Sequence, residues 1–358
     1  MFGGLVSGND LAIYVLSPVG YRSGGPEALH QLVDAIRQQG VSSFILSAYP
    51  DVEVAPVDDF SRYDYEIVKE LPKSGRQVLV VPEWCLTRDL DALKTALANP
   101  DVVVWVWWLS VDNSLHPEAL RFSRQSRPSL PLGEGLRREV LRRTARDVKY
   151  IFASRAVSLR LRHLMSRTEG FLAQSDYARD FCKRSLNRDA MMLTDYLTPL
   201  PAFEAQDRQV DTVLYNGIKG NELIEPIRSR LPDVRFSPIR GMTYAQVCSA
   251  LAAATVYLEL GRLPGRDRLP REAARVGTPV VLLRQGAGRY VADFPLPSQD
   301  TFDVGRGWHT DAVALLTTVL ADPESAQRRQ AEFRSWVLAD QSRFGIEVAQ
   351  WLRELGLA

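Results

Sequence analysis

The chain has 358 residues, of which 46% are apolar and 24% charged, and its formal net charge is +1. That length exceeds one typical core and predicts two domains of roughly 150–200 residues. The even charge excludes a dedicated nucleic-acid binder, and no apolar window approaches the ~20 residues of a membrane span, so a soluble protein is expected. Cys85, Cys182 and Cys248 lie far apart in no metal-ligand spacing, which fits a reducing, cytoplasmic home.

In chain order, "LAIYVL" (11–16) is an apolar run, followed by a Gly/Pro turn and then "PEALHQLVDAIRQQG" (26–40). There Leu29, Leu32, Val33 and Ile36 keep helical spacing and Gly40 suits the position after a helix. "SSFILSAY" (42–49), "QVLVVPE" (77–83) and "DVVVWVWWLS" (101–110) read as buried strands, with a helix over 90–99. "YIFASRAV" (150–157) and "GFLAQSDYARDFCKRSL" (170–186) continue the alternation. Runs apolar on both faces, alternating with helices, predict a parallel sheet covered on two sides. The polar stretch 198–209 reads as a linker, after which the same grammar restarts. Strands are expected over 210–217, 234–239, 255–260 and 278–283, helices over 221–231, 243–254 and 270–277, and a mostly helical tail over 323–355. The expected architecture is α/β, two Rossmann-like doubly wound domains facing a cleft. Its parts are an N-terminal domain over 1–200, a C-terminal one over 201–335 and a last helix over 336–358 that crosses back.

"GRDRLPREAARVG" (265–277) gathers arginines in front of a short helix. Pro270 suits a first helical position, and a helix N-terminus at a cleft offers free N–H groups to phosphate. Arg262, Arg266, Arg268 and Arg271 add paired donors, with Asp267 to hold one of them, while Glu272 suits the two ribose hydroxyls of a nucleotide. From these residues alone, a solvated loop of ion pairs is an equal alternative.

"PREAARVGTPVV" (270–281) resembles the E-A-x-x-x-G-x-P-V-V signature of GT-B glycosyltransferases, especially those of family 4. In that family the Glu matching Glu272 closes an E-x7-E motif and contacts the donor nucleotide. The first Glu falls on Pro264, and "LGRLPGRDRLPREAA" (260–274) is similar instead to a bacterial polysaccharide-assembly subgroup. "LYNGIKG" (214–220) resembles the family's strand–loop–Lys-Gly element, which implies that Gly217 shapes a turn and Lys219 meets the donor diphosphate. "SPIRGMTYAQV" (237–247) and "RQGAGRYVADFPLP" (284–297) resemble adjoining elements, implying donor contacts at Arg240, Gly286 and Gly288. "SPVGYRSGGPEALHQL" (17–32) is similar to the opening G-G loop and helix, with Gly24 and Gly25 at the cleft. "VVPEW" (80–84) and "WWLSVDN" (107–113) place Glu83 and Asp112 just past strand ends, where either could bind acceptor hydroxyls or act as a base. Trp84 or Trp108 would offer a stacking face.

Taken together, the resemblance implies transfer of a sugar from a nucleotide-diphosphate donor to an acceptor hydroxyl, in surface polysaccharide or glycoconjugate assembly. Lys219, Arg268 and Arg271 would neutralise the leaving diphosphate, with Asp112 on the acceptor side, without metal or further cofactor, and with retention at the anomeric carbon. The partners expected are a nucleotide sugar and a glycan, lipid-linked or other hydroxyl acceptor. The missing first Glu leaves open a non-catalytic GT-B-like subunit that binds nucleotide sugar or glycan; a sugar epimerase or phosphorylase is a weaker alternative. No D-x-D, H-x3-H or Walker spacing appears. Residues 137–167 hold ten Lys and Arg against two acids, a solvated helix face or a peripheral membrane contact.

Overall fold

The computed structural model describes residues 11–51, 57–114, 116–125, 161–202 and 209–357. The segment 150–157 and the basic stretch as far as residue 160 lie outside them.

Seven parallel strands form the first sheet: β1 (Ala12–Ser17), β2 (Ser43–Ser47), β3 (Ile67–Val68), β4 (Gln77–Pro82), β5 (Val102–Trp108), β6 (Thr168–Ala173) and β7 (Ala190–Met192). Their spatial order is β3-β2-β1-β4-β5-β6-β7, so the direction of winding reverses between β1 and β4. Strand β5 shows why an unbroken apolar run is needed. Val104, Val106 and Trp108 join the core on one face of the sheet, while Trp105 and Trp107 join the core on the other. Gly170 opposite is the space that lets the Trp105 ring lie across β6, since a Cβ there would come within 2.3 Å of it. The helix Gly24–Gln38 buries Leu29, Leu32, Val33 and Ile36 on this sheet and closes at Gly40, which takes φ of +77°.

Five parallel strands form the second sheet: β8 (Thr212–Asn216), β9 (Arg235–Ile239), β10 (Val256–Glu259), β11 (Val280–Leu283) and β12 (Thr301–Phe302). Their order, β12-β11-β10-β8-β9, reverses between β8 and β10. Helices Tyr244–Ala253, Arg268–Arg275 and Trp308–Ala321 flank it. The expected helix over 221–231 is cut down to a short turn and Glu225–Arg228, and the helix expected from Pro270 starts two residues earlier, at Arg268. The short edge strands β3, β7 and β12 carry too few residues to leave a period in the sequence.

The tail forms three helices, Pro323–Arg329, Ala331–Leu338 and Asp340–Glu354. Phe344, Val348, Trp351 and Leu352 of the last sit in the core of the first sheet, with Trp351 edge-on to Trp105 at 5.8 Å. One apolar cluster runs through both halves, from Val106 and Phe171 to Tyr257 and Leu282.

Candidate active site

A cleft of about 670 Å³ lies where the two reversal points face each other. The segments that follow β1 and β4 supply one wall, through Gly24, Gly25 and Glu83; the loop after β8 and the end of β10 supply the other, through Lys219 and Glu259. Open α/β sheets bind ligands at such points because diverging loops leave a crevice beyond the strand ends.

On the C-terminal side, the Asn216 side chain accepts the N–H groups of Ile218 (3.0 Å) and Lys219 (2.9 Å), a local turn that aims Lys219 at the cleft. Its Nζ donates to Asp267 Oδ2 at 2.7 Å. Gly217 serves the packing of this turn: a Cβ there would come within 2.9 Å of Pro238. Glu259 ends β10 on the cleft wall, its carboxylate accepting the Tyr257 hydroxyl and the Gly261 N–H, each at 2.6 Å. Burial pushes its pKa up to about 7, against the pull of those donors. Burial likewise raises Asp267, against Lys219.

Facing it, the first turn of the Gly24–Gln38 helix forms part of the wall, and Ser23 makes no side-chain capping bond there. Glu83 is 3% exposed, and its Oε2 accepts the Leu109 N–H at 3.0 Å. Burial pushes its pKa up to about 8, only partly offset by backbone donors, so it is largely protonated at neutral pH. Trp84 lines the same wall, with the Arg88 guanidinium 5.2 Å from its ring.

The four arginines of the 262–271 stretch divide. Arg268 lines the cleft; it bonds Glu27 of the N-terminal domain, Thr198 Oγ1 at 2.6 Å and Glu272 Oε1 at 3.0 Å. Burial works against its charge, and the carboxylates of Glu272 and Glu27 more than offset that. Arg271 is 0% exposed and turned away, its guanidinium on Asp195 Oδ2 (2.8 Å) and Asp340 Oδ2 (3.1 Å). Arg266 borders the cleft, but its guanidinium reaches Asp340 Oδ1 at 2.5 Å and lies on the Trp336 ring at 4.3 Å. Arg262 crosses to Asp112 and to the Ser123 carbonyl at 2.7 Å. Arg266 and Arg271 are therefore not rim cations. They and Arg262 join the domains, with help from Gly265, whose missing Cβ would otherwise meet the Leu109 carbonyl at 2.4 Å. The Asp293 carboxylate, which accepts the N–H groups of Asp176 and Tyr177 across the seam, adds to this.

Other expected residues also move. The Asp112 carboxylate is taken by Arg262 and by the Tyr177 hydroxyl at 2.6 Å, so its neighbours Ser110 and Asn113 face the cleft instead. Trp108 is 0% exposed among His116, Phe171 and Phe181, and offers no stacking face. Glu272 is 4% exposed, beneath Arg268 and off the cleft wall. Arg240 is exposed and lines neither the cleft nor its neighbouring cavity. Gly286 packs on the Leu263 backbone, where a Cβ would come within 2.1 Å, and Gly288 packs on Leu282, so that loop backs the arginine loop rather than the cleft. Asp267 holds Lys219 rather than an arginine.

Two acids were not singled out in the sequence. Glu259 ends a strand just where Glu83 and Asp112 do, and the same rule finds it. Asp195 lines the cleft with Oδ2 on Arg271 and Oδ1 4.0 Å from Arg266 Nη1 without a hydrogen bond, and nothing local marks it. Among the described residues no three His, Cys, Asp or Glu side chains gather as a metal cage, and no helix is long and apolar enough to cross a membrane.

No family model and no curated protein matches the chain. Solved structures do. Sucrose-phosphate synthase from Thermosynechococcus elongatus aligns over 96% of this chain and 99% of its own, with a TM-score of 0.62 at 13% identity. A mutant O-GlcNAc transferase from Thermobaculum terrenum aligns over 98% and 68%, with 0.57 at 13%. A glycosyltransferase from Rickettsia africae aligns over 96% and 97%, with 0.56 at 10%. Two Rossmann-like sheets with opposed reversal points, a cleft between them and a last helix returned to the first core give this chain the GT-B fold of these glycosyltransferases.

Proposed function

We propose that the protein transfers a sugar from a nucleotide-diphosphate donor to an acceptor hydroxyl in the cleft between its domains, in surface polysaccharide or glycoconjugate assembly. The observation that carries this is the gathering of Lys219, Arg268 and the first turn of the Gly24–Gln38 helix around one space that Glu83 and Trp84 also line. As the C1–O bond of the donor breaks, negative charge grows on the diphosphate and positive character on the sugar ring. Lys219 and a helix N-terminus at the cleft stabilise the first by electrostatic preorganisation that needs no metal, and Arg268 adds its charge. Glu83, with Ser110 and Asn113 beside it, holds the acceptor hydroxyl, and Trp84 gives a sugar its stacking face. Glu272 takes the ribose hydroxyls. The names of the three structural neighbours given above, a sucrose-phosphate synthase, an O-GlcNAc transferase and a glycosyltransferase, support this reading, and retention at the anomeric carbon follows the family 4 resemblance.

A second reading, a subunit that binds nucleotide sugar without turning it over, has its own observation. Lys219 and Arg268 each already hold a carboxylate, and Pro264 stands in the place of the first Glu. Incubation with a panel of nucleotide-diphosphate sugars, with and without hydroxyl acceptors, separates the two. Release of nucleoside diphosphate, slow without acceptor and faster with one, is the transferase outcome. Tight binding with no release identifies the subunit, and no binding across the panel removes both.

A further inference from the structure

A second cavity, of about 290 Å³, adjoins the cleft. Its wall sets Phe60, Met242, Tyr244 and Val247 beside the charged side chains of Arg22, Glu27 and Asp59, so a planar heterocycle finds aromatic faces to lie on and polar groups at its edge. Both cavities are bounded by Ser23, Gly24 and Arg268. Arg268, against Gly24, is thus part of the boundary they share, its guanidinium pinned to Glu27, Thr198 and Glu272 and lying 5.6 Å from the Tyr244 ring. In this position it also covers Glu272, which lines neither cavity.

We propose that Arg268 is a movable partition: the nucleoside of the donor enters the smaller chamber, the diphosphate and sugar lie in the larger, and the guanidinium swings from its carboxylates onto the diphosphate. The proposal rests on the nucleotide-sugar reading of the cleft. An arginine exchanges carboxylate for phosphate readily, because both present paired oxygens to the same planar fork. The exchange uncovers Glu272 for the ribose. It does not strand Glu27, whose Oε1 still accepts the Tyr63 hydroxyl at 2.8 Å and the Thr198 hydroxyl. Gly24 leaves room for the movement, since a Cβ there would sit 3.2 Å from Arg268 Cδ.

Stopped-flow association of fluorescent mant-labelled UDP, GDP and ADP tests this on the intact chain. If the partition must open first, the wild-type rate rises with nucleotide concentration and then reaches a ceiling. Thr198→Val removes one hydroxyl holding the guanidinium and raises that ceiling on the order of tenfold, the weight of one hydrogen bond to a charged group. Thr198→Ser keeps the hydroxyl and the wild-type ceiling. Arg268→Gln abolishes the ceiling and speeds dissociation. Nucleotide binding without a ceiling, or with one that Thr198→Val leaves unmoved, overturns the partition while the parent reading stands. Failure of every nucleotide to bind the wild type removes both.

Discussion

The domain seam and the cleft wall draw on the same short stretch of chain, and both hold ion pairs, yet two buried acids of the cleft wall stand apart from those of the seam. In the seam, Arg266 and Arg271 are buried against Asp195 and Asp340, and Arg343 joins them on Asp340. Opposite charges meet with several hydrogen bonds each, which offsets much of their desolvation. On the cleft wall, Glu83 and Glu259 are buried without a cation in direct contact among the described residues, and their pKa values rise to about 8 and about 7. Paired burial holds two domains in one relation. Unpaired burial holds protonatable groups ready at a surface a ligand reaches, which is why perturbed carboxyls mark candidate sites.

The largest effect that can break this contrast is in the seam. Asp340→Ala leaves Arg266 and Arg271 short of a carboxylate in the interior, and a loss of about 3–5 kcal/mol in stability is expected, measured by chemical denaturation. A cost below about 1 kcal/mol would mean that the seam tolerates stranded charge and that the comparison fails.

Next comes Lys219→Ala. Its pair with Asp267 is more than a third exposed on the lysine side, so stability changes by less than about 1 kcal/mol. Sugar transfer should fall by about a hundredfold, the usual weight of one preorganised group on developing charge. A variant that unfolds, or one that turns over normally, places Lys219 with the structural residues instead.

Glu83→Gln sharpens the comparison through pH. The folded-state pKa, about 8, is above the ordinary carboxyl value of 4.5. Between those values the folded chain holds a proton that the unfolded chain releases, so stability falls as pH rises through this window, by up to about 1.4 kcal/mol per unit. The glutamine variant removes that slope. Its melting temperature should match the wild type near pH 4.5 and exceed it at pH 8–9. Parallel curves would show that Glu83 is not buried unpaired. The smallest effect belongs to Arg240→Ala, where an exposed side chain off both cavities should leave stability within about 0.5 kcal/mol and nucleotide affinity within about twofold.

Where the physics was local, the sequence spoke clearly. Period and length marked the buried strands such as β5 and the helix Gly24–Gln38, and the Asn216–Gly220 turn is written in adjacent residues. Strand-end position pointed to Glu83, and would have pointed to Glu259 had the same rule been applied to β10. It also pointed to Asp112, and there it misled, because the ion that takes this carboxylate, Arg262, lies 150 residues away. The run Trp105–Trp108 shows the same limit: alternation tells which residues share a face, but not that Trp108 is enclosed by His116 and Phe181.

What the sequence determined by itself was the alternation of strands and helices, and with it a doubly wound pair of sheets, because apolar period is a property of neighbouring residues. What only the tertiary structure decided was the fate of each charge. Arginines at 262, 266, 268 and 271 are the same chemical group within one loop and helix, and all four became ties to distant parts of the chain, while Arg268 also came to border both cavities. Their partners, Asp112, Asp195, Asp340, Glu27 and Thr198, come from distant parts of the chain. A charge's role is set by the field around it, and that field exists only once the chain is folded.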